Sequence, residues 1–134
     1  MTKRNYDCQY GCPVEATLDV IGGKWKSVIL FHLLDSTRRF SELRRLLPDV
    51  TQRMLTLQLR ELEEDGVLVR TVYAQVPPRV EYELTPLGAT LRQIVHALID
   101  WSGAHLAEVD AARARYDAQV RRWSTQDAPL ESHA

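Results

Sequence analysis

Several protein classes are excluded by what this sequence lacks. It has only two cysteines in 134 residues, Cys8 and Cys12, which do not make a secreted disulfide framework. No apolar run is long enough to cross a bilayer. The N-terminus, MTKRNYDCQYGC, carries charge but no apolar stretch behind it, so no secretory signal is legible and a cytoplasmic protein is expected. There are no internal repeats and no low-complexity tract. Net charge is nearly absent: 17 Lys and Arg stand against 18 Asp and Glu, a formal −1, which by itself speaks neither for nor against a nucleic-acid partner. No Ser/His/Asp arrangement and no paired carboxylates in an obvious cleft are visible, and Gly22-Gly23 lacks the context of a phosphate loop. Cys8 and Cys12 have no histidine or cysteine partners at ligand spacing. His32 and His96 fall in apolar helices and read as core or interface residues. The expectation is a protein that is not an enzyme, with no metal site and no cofactor.

What is present is a chain that should fold. A length of 134 residues suggests one domain, and 45% hydrophobic residues support a modest core that a dimer interface could enlarge. The charge is unevenly spread. Between Arg38 and Arg60 six arginines (38, 39, 44, 45, 53, 60) face only Glu42 and Asp49, and acid follows in Glu61, Glu63, Glu64 and Asp65. One basic face on a neutral protein is compatible with DNA binding, although a solvated face is the plainer reading of any charge run. The acidic run reads as a solvated helix end.

Residues 1–11 read as a flexible polar arm, 12–123 as the folded domain and 124–134 as a disordered tail. Pro13 suits a first helical turn and Glu15 the positive end of a helix, so a helix begins near Cys12, carries Val14, Leu18 and Ile21, and stops at Gly22-Gly23. A second helix spans about Lys24–Leu34, with Trp25, Val28, Ile29, Leu33 and Leu34 on its buried stripe. Asp35-Ser36-Thr37 is a loop. A third helix starts at Phe40-Ser41, with Leu43, Leu46 and Leu47 inward and Ser41 either its cap or a first-turn residue near a DNA backbone. Pro48-Asp49-Val50 forms a turn because Pro48 cannot continue the helix. Thr51 caps a fourth helix that runs from Gln52 to Asp65 and ends at Gly66.

In that fourth helix Leu55, Leu59 and Leu62 recur at steps of four and three. At about 100° per residue, Arg53, Leu57 and Arg60 point the other way, flanked by Gln52 and Thr56. Val67–Thr71 and Val80–Leu84 are strand candidates, joined by a tip that includes Pro77-Pro78. Thr85-Pro86 then starts a last long helix carrying Leu87, Leu91, Ile94, Val95, Leu98, Ile99 and Trp101, with Leu106 and Val109 continuing the face. A face that broad is explained by burial against a partner helix.

Two short helices split by a turn, then a basic hairpin, then a further helix make the order of a helix-turn-helix with a β-wing. The fold class expected is mainly α with a small, two-stranded β-wing. The blocks CPVEATLDVIGGKWKSVIL, FSELRRLLPDVTQRMLTLQLRELEEDG and VPPRVEYELTPLG, with the Trp101 region, resemble the HxlR-type winged helix-turn-helix regulators, relatives of the MarR-like regulators, over about Cys12–Ala107. The resemblance implies a dimeric, double-stranded-DNA-binding transcription regulator, repressor or activator, that pairs through its N- and C-terminal helices and meets a near-palindromic operator.

Under that reading the fourth helix is the recognition helix. Arg53 can offer two N–H groups to guanine, Gln52 can pair with adenine, Thr56 can reach a base or phosphate, and Leu57 can meet a thymine methyl. Arg60, further along, is suited to phosphate. By resemblance to winged helices, Arg79 beside the Pro-Pro tip lies near the minor groove or flanking phosphates, an attraction that weakens as salt rises. Ser41 and Thr51 complete the candidate DNA-binding set, with Lys24, Lys26, Arg38 and Arg39 as weaker backbone candidates.

Cys12 carries the one potential chemistry. A helix start can stabilise a thiolate, while Glu15 opposes it. By resemblance Cys12 senses oxidants or electrophiles, through a disulfide between subunits or an adduct, with Cys8 as an additional thiol on the arm. The alternative is a small, inert residue at a dimer contact. Two other functions stand beside DNA binding: a winged-helix protein-interaction module, which the Gln- and Thr-bearing basic helix disfavours, and a small thiol enzyme built on Cys12, which lacks any visible base or substrate pocket.

Overall fold

The structure, a computed structural model, describes the backbone of residues 12–131 and the side chains of residues 13–125. The order is α1 (Cys12–Ile21), α2 (Lys26–Leu33), β1 (Arg38–Arg39), α3 (Phe40–Leu46), α4 (Gln52–Glu64), β2 (Leu68–Tyr73), β3 (Arg79–Leu84), α5 (Pro86–Ala89) and α6 (Arg92–Glu131). Two compact units divide the chain, one ending at Val95 and the other beginning at His96. The first contains everything through the opening turn of α6. The second is the rest of that helix.

The core of the first unit is assembled from α1 to α4, the two hairpin strands and the first turn of α6. Ile21 of α1, Ile29, Leu30 and Leu33 of α2, Leu43 of α3, Leu55, Leu59 and Leu62 of α4, Leu68, Tyr82 and Val95 are all buried. Trp25 and Val28 lie partly buried against this cluster. Each leucine removed from water this way contributes roughly 1.5–3 kcal/mol. Leu46, expected inward, is 39% exposed. It is rotated by about 100° from Leu47, and α3 turns Leu43 and Leu47 inward instead. Of the apolar residues expected on α1, only Ile21 is covered. Val14 and Leu18 are exposed.

The sheet has three strands, in the order β1-β3-β2, where a two-stranded wing was expected. β2 and β3 form the hairpin, with Leu68 opposite Leu84 and Tyr73 opposite Arg79. Arg38 and Arg39 pair with Tyr82 and Glu81 on the other edge of β3. Two residues are too few to show alternation, and this strand exists because β3 offers a second row of backbone partners.

Caps and glycines fix the ends. The Thr51 hydroxyl accepts from the Met54 N–H at 3.0 Å and starts α4. Gly66, at φ +76°, lets the chain leave α4 and turn into β2. Ser41 does not cap α3. Arg39 holds the cap position and its backbone N–H donates to Glu42 Oε1 at 3.2 Å. Thr85 does cap, accepting from the Gly88 N–H at 3.0 Å, but the helix it starts is short. At Thr90 and Leu91 the backbone N–H groups bond back three residues, to Leu87 and Gly88, and the chain restarts as α6. A Cβ at Gly88 would collide with the Val67 carbonyl, so α5 packs on the wing base only with glycine there.

α6 runs from Arg92 to Glu131. Leu98, Ile99, Trp101, Leu106, Tyr116, Val120 and Trp123 are exposed along it. His96, expected in a core or interface, is exposed as well.

Candidate nucleic-acid interface

α4 divides into two faces because its leucines step by four and three. Leu55, Leu59 and Leu62 are at most 1% exposed, while Gln52, Arg53, Thr56, Leu57 and Arg60 face solvent. The outward set is partly pre-positioned. Arg44 Nη1 donates to Gln52 Oε1 at 3.2 Å, leaving the Gln52 amide N–H groups directed away from that bond. The Thr56 hydroxyl donates its one proton to the Gln52 carbonyl at 2.8 Å, which leaves its oxygen as an acceptor for a ligand's donor. Leu57 is 42% exposed, an apolar side chain on an otherwise polar surface.

A buried ion pair fixes the helix from behind. Lys26 Nζ of α2 lies 2.6 Å from Glu61 Oε2 of α4, and both side chains are about nine-tenths buried. This corrects two expectations. Lys26 is not available to a phosphate, and Glu61 is not part of a solvated acidic end. Spacing does not flag it: at about 100° per residue Glu61 lies about 120° from Leu55, and it is legible as buried only once Lys26 is placed against it.

Beside α4, an open cleft of about 700 Å³ lies between the helix and the wing. Arg39, Arg60, Arg70 and Arg79 line it, with Glu63 as a carboxylate on its wall. Ser41 and Thr56 line it too, so four of the candidate residues, Ser41, Thr56, Arg60 and Arg79, are brought together here. Gln52, Arg53 and Leu57 are not among its lining residues, and Thr51 is engaged in capping. Arg79 does not project from the Pro-Pro tip. Its guanidinium lies 4.4 Å from the centre of the Tyr73 ring, and its Nε is 2.9 Å from Glu81 Oε1. Arg38 is likewise turned to the protein, donating from Nε to the His32 carbonyl at 3.0 Å. Lys24 is exposed, with its ammonium 5.0 Å from the Trp25 ring centre.

Arg70 is the residue that sequence reasoning missed as a site candidate. Its place in an alternating strand put it on one face of the hairpin, but only the fold shows that this face closes the cleft. Arg70 also stands opposite Tyr82, with its phenol, across the hairpin. Burial pushes that phenol's pKa up, and the Arg70 guanidinium opposes the shift. Cys12 opens α1, but its side chain, like the whole of Cys8, lies outside the described residues. Among the described residues no helix is long and apolar enough to cross a membrane.

A two-faced helix beside a basic, wing-bounded cleft offers positive charge to a polyanion. The HxlR-like helix-turn-helix family matches residues 20–110. The HTH-type transcriptional regulator YdeP of Bacillus subtilis (strain 168) is 55% identical over 109 residues, covering 81% of this chain and 85% of that one. Among solved structures, the redox regulator HypR in its reduced form superposes with a TM-score of 0.72 at 55% identity, over 74% of this chain and 98% of that one. HypR in its oxidized form gives 0.67 at 58% identity, over 70% and 97%. This chain is therefore a member of the HxlR-like helix-turn-helix family, a winged-helix, DNA-binding transcription regulator.

Proposed function

We propose that the protein acts in the cytoplasm as a homodimer on a near-palindromic operator, with one α4 from each subunit entering successive major grooves. The observation that carries this reading is the division of α4: three leucines sealed inside, and Arg53 and Arg60 left in solvent on the opposite side. Gln52, Arg53, Thr56 and Leu57 read base edges. Ser41, Thr51 and Arg60 hold the phosphate backbone, and Arg79 adds positive charge from the wing side of the cleft. Arg70 and Arg39 belong to the same backbone-contacting set, because they share that cleft.

The signal is a thiol oxidant or electrophile acting on Cys12. Support comes from HypR, a redox regulator to which the chain is 55–58% identical. Oxidation takes two electrons and two protons from a pair of thiols to form a disulfide across the subunits, and an electrophile forms an adduct instead. Either changes how the two recognition helices are spaced and so shifts affinity. Selection of bound fragments from genomic DNA, with and without a thiol oxidant, tests both parts. Recovery of no common sequence removes the operator reading. Identical recovery and affinity with oxidant, for wild type and Cys12→Ser alike, removes the sensor reading and leaves Cys12 an inert contact residue.

A further inference from the structure

Gln52 opens α4 and is exposed there. The N-terminal residues of the second helix in a helix-turn-helix are the ones that meet base edges. The amide of Gln52 has two ends of opposite character, an oxygen that accepts and an NH2 that donates. A free glutamine uses both on adenine, accepting from the N6 amino group and donating to N7. In this protein the amide is not free. Arg44, in the last turn of α3, donates from Nη1 to Gln52 Oε1 at 3.2 Å, across the turn between the two helices.

This contact decides which end of the amide faces outward. A guanidinium carries N–H donors and no acceptor, so only the oxygen of Gln52 can lie against it. A charged donor also makes the stronger kind of hydrogen bond. Among the described residues no carboxylate pairs with Arg44, so no acid draws it away from Gln52. The backbone beneath is held as well. The Gln52 carbonyl accepts from the Thr56 hydroxyl at 2.8 Å, and the Thr51 cap fixes the first turn.

We infer that Arg44 sets the base preference of Gln52 and turns it from a reader of adenine into a reader of guanine. With Oε1 held by Arg44, Gln52 presents its N–H donors to the groove. Guanine alone offers two adjacent acceptors there, N7 and O6. Adenine sets its N6 amino group beside N7, so one donor of Gln52 would face another donor. Cytosine presents a donor, and thymine a lone acceptor beside its methyl group. Arg44 is therefore a positioning residue: it touches Gln52 and through it selects one base of the operator. The inference rests on the reading in which Gln52 meets a base edge. It adds to that reading the identity of the base and the residue that selects it.

Selection of duplexes from a random pool by the full-length protein tests this. The position at which Gln52→Ala loses its preference is the one that Gln52 reads. Guanine is expected there, bound about tenfold more tightly than adenine. Arg44→Ala releases the amide oxygen, and the guanine-to-adenine ratio at that position should fall by about tenfold in low-salt titrations. The position that Arg53→Ala relaxes serves as the control and should keep its ratio in Arg44→Ala. An arginine that only touched phosphate would weaken the guanine and adenine duplexes equally, so an unchanged ratio overturns the inference. Adenine at the Gln52 position in the wild type overturns it too. Loss of preference at both positions overturns it as well, because Arg44 would then act on the whole helix. In these three cases Gln52 still reads a base. If Gln52→Ala keeps every preference of the wild type, Gln52 reads none, and its assignment to base edges falls together with the inference.

Discussion

Replacing Lys26 with methionine tests how α4 is held. The Lys26–Glu61 pair has a 2.6 Å contact, with 9% and 10% of the two side chains exposed. Lys26→Met keeps the length of the side chain and removes its charge, leaving the Glu61 carboxylate buried without its cation. Removing one partner of a buried pair costs about 3–5 kcal/mol. A domain of this size has about 5–15 kcal/mol in total, so the variant should remain folded at room temperature and melt roughly 10–20 °C lower. The double variant Lys26→Met, Glu61→Leu removes the stranded charge as well. It should recover most of the loss, because well-packed apolar residues replace buried ion pairs at little cost. Urea melts followed by circular dichroism give the four free energies of the cycle, and operator binding by the double variant shows whether apolar packing holds α4 at the same angle. A loss below about 1 kcal/mol in Lys26→Met would refute the reasoning, since that is the behaviour of a solvent-screened surface pair.

Other consequences are open to direct measurement. Arg53→Ala should weaken operator binding by about 1–3 kcal/mol and relax preference at one base position; equal loss on every sequence in a competition assay would make Arg53 a phosphate contact. Arg60→Ala should weaken all sequences alike and lower the salt slope of binding by about one, which titrations at several salt concentrations would detect. Leu59→Asp should abolish cooperative folding, because it places an unpaired charge in a site 1% exposed; a sharp melt from soluble variant would mean the inner face of α4 is misassigned. The His32 pKa is lowered from 6.5, first by burial and then by the nearby Arg38 charge. The unfolded chain then binds the proton more readily than the fold does. Its contribution to stability is complete above pH 6.5 and is lost as pH falls from 6.5 through the lower folded value. The stability of His32→Gln should therefore fall less than that of wild type as pH drops below 6.5, and parallel pH profiles would contradict this.

The sequence by itself determined the first four helices, the turn and the phase of α4. Those depend on local rules: the fixed 100° rotation that separates Leu55, Leu59 and Leu62 from Arg53 and Arg60, the hydroxyl of Thr51 that caps, and the proline and glycine that stop a helix. It also placed the hairpin and, through its motif blocks, the family. The tertiary structure decided what depends on a partner distant in sequence. β1 exists because β3 has a second edge, and Arg38-Arg39 contain no strand signal of their own. Glu61 is buried because Lys26 stands opposite it, and neither residue shows this alone. Arg79 turns onto Tyr73 and Glu81 rather than outward from the wing tip, while Arg70 joins the cleft that was not assigned to it. Backbone period is a property of neighbours along the chain, whereas the burial and direction of a charged side chain are set by whatever the fold brings against it.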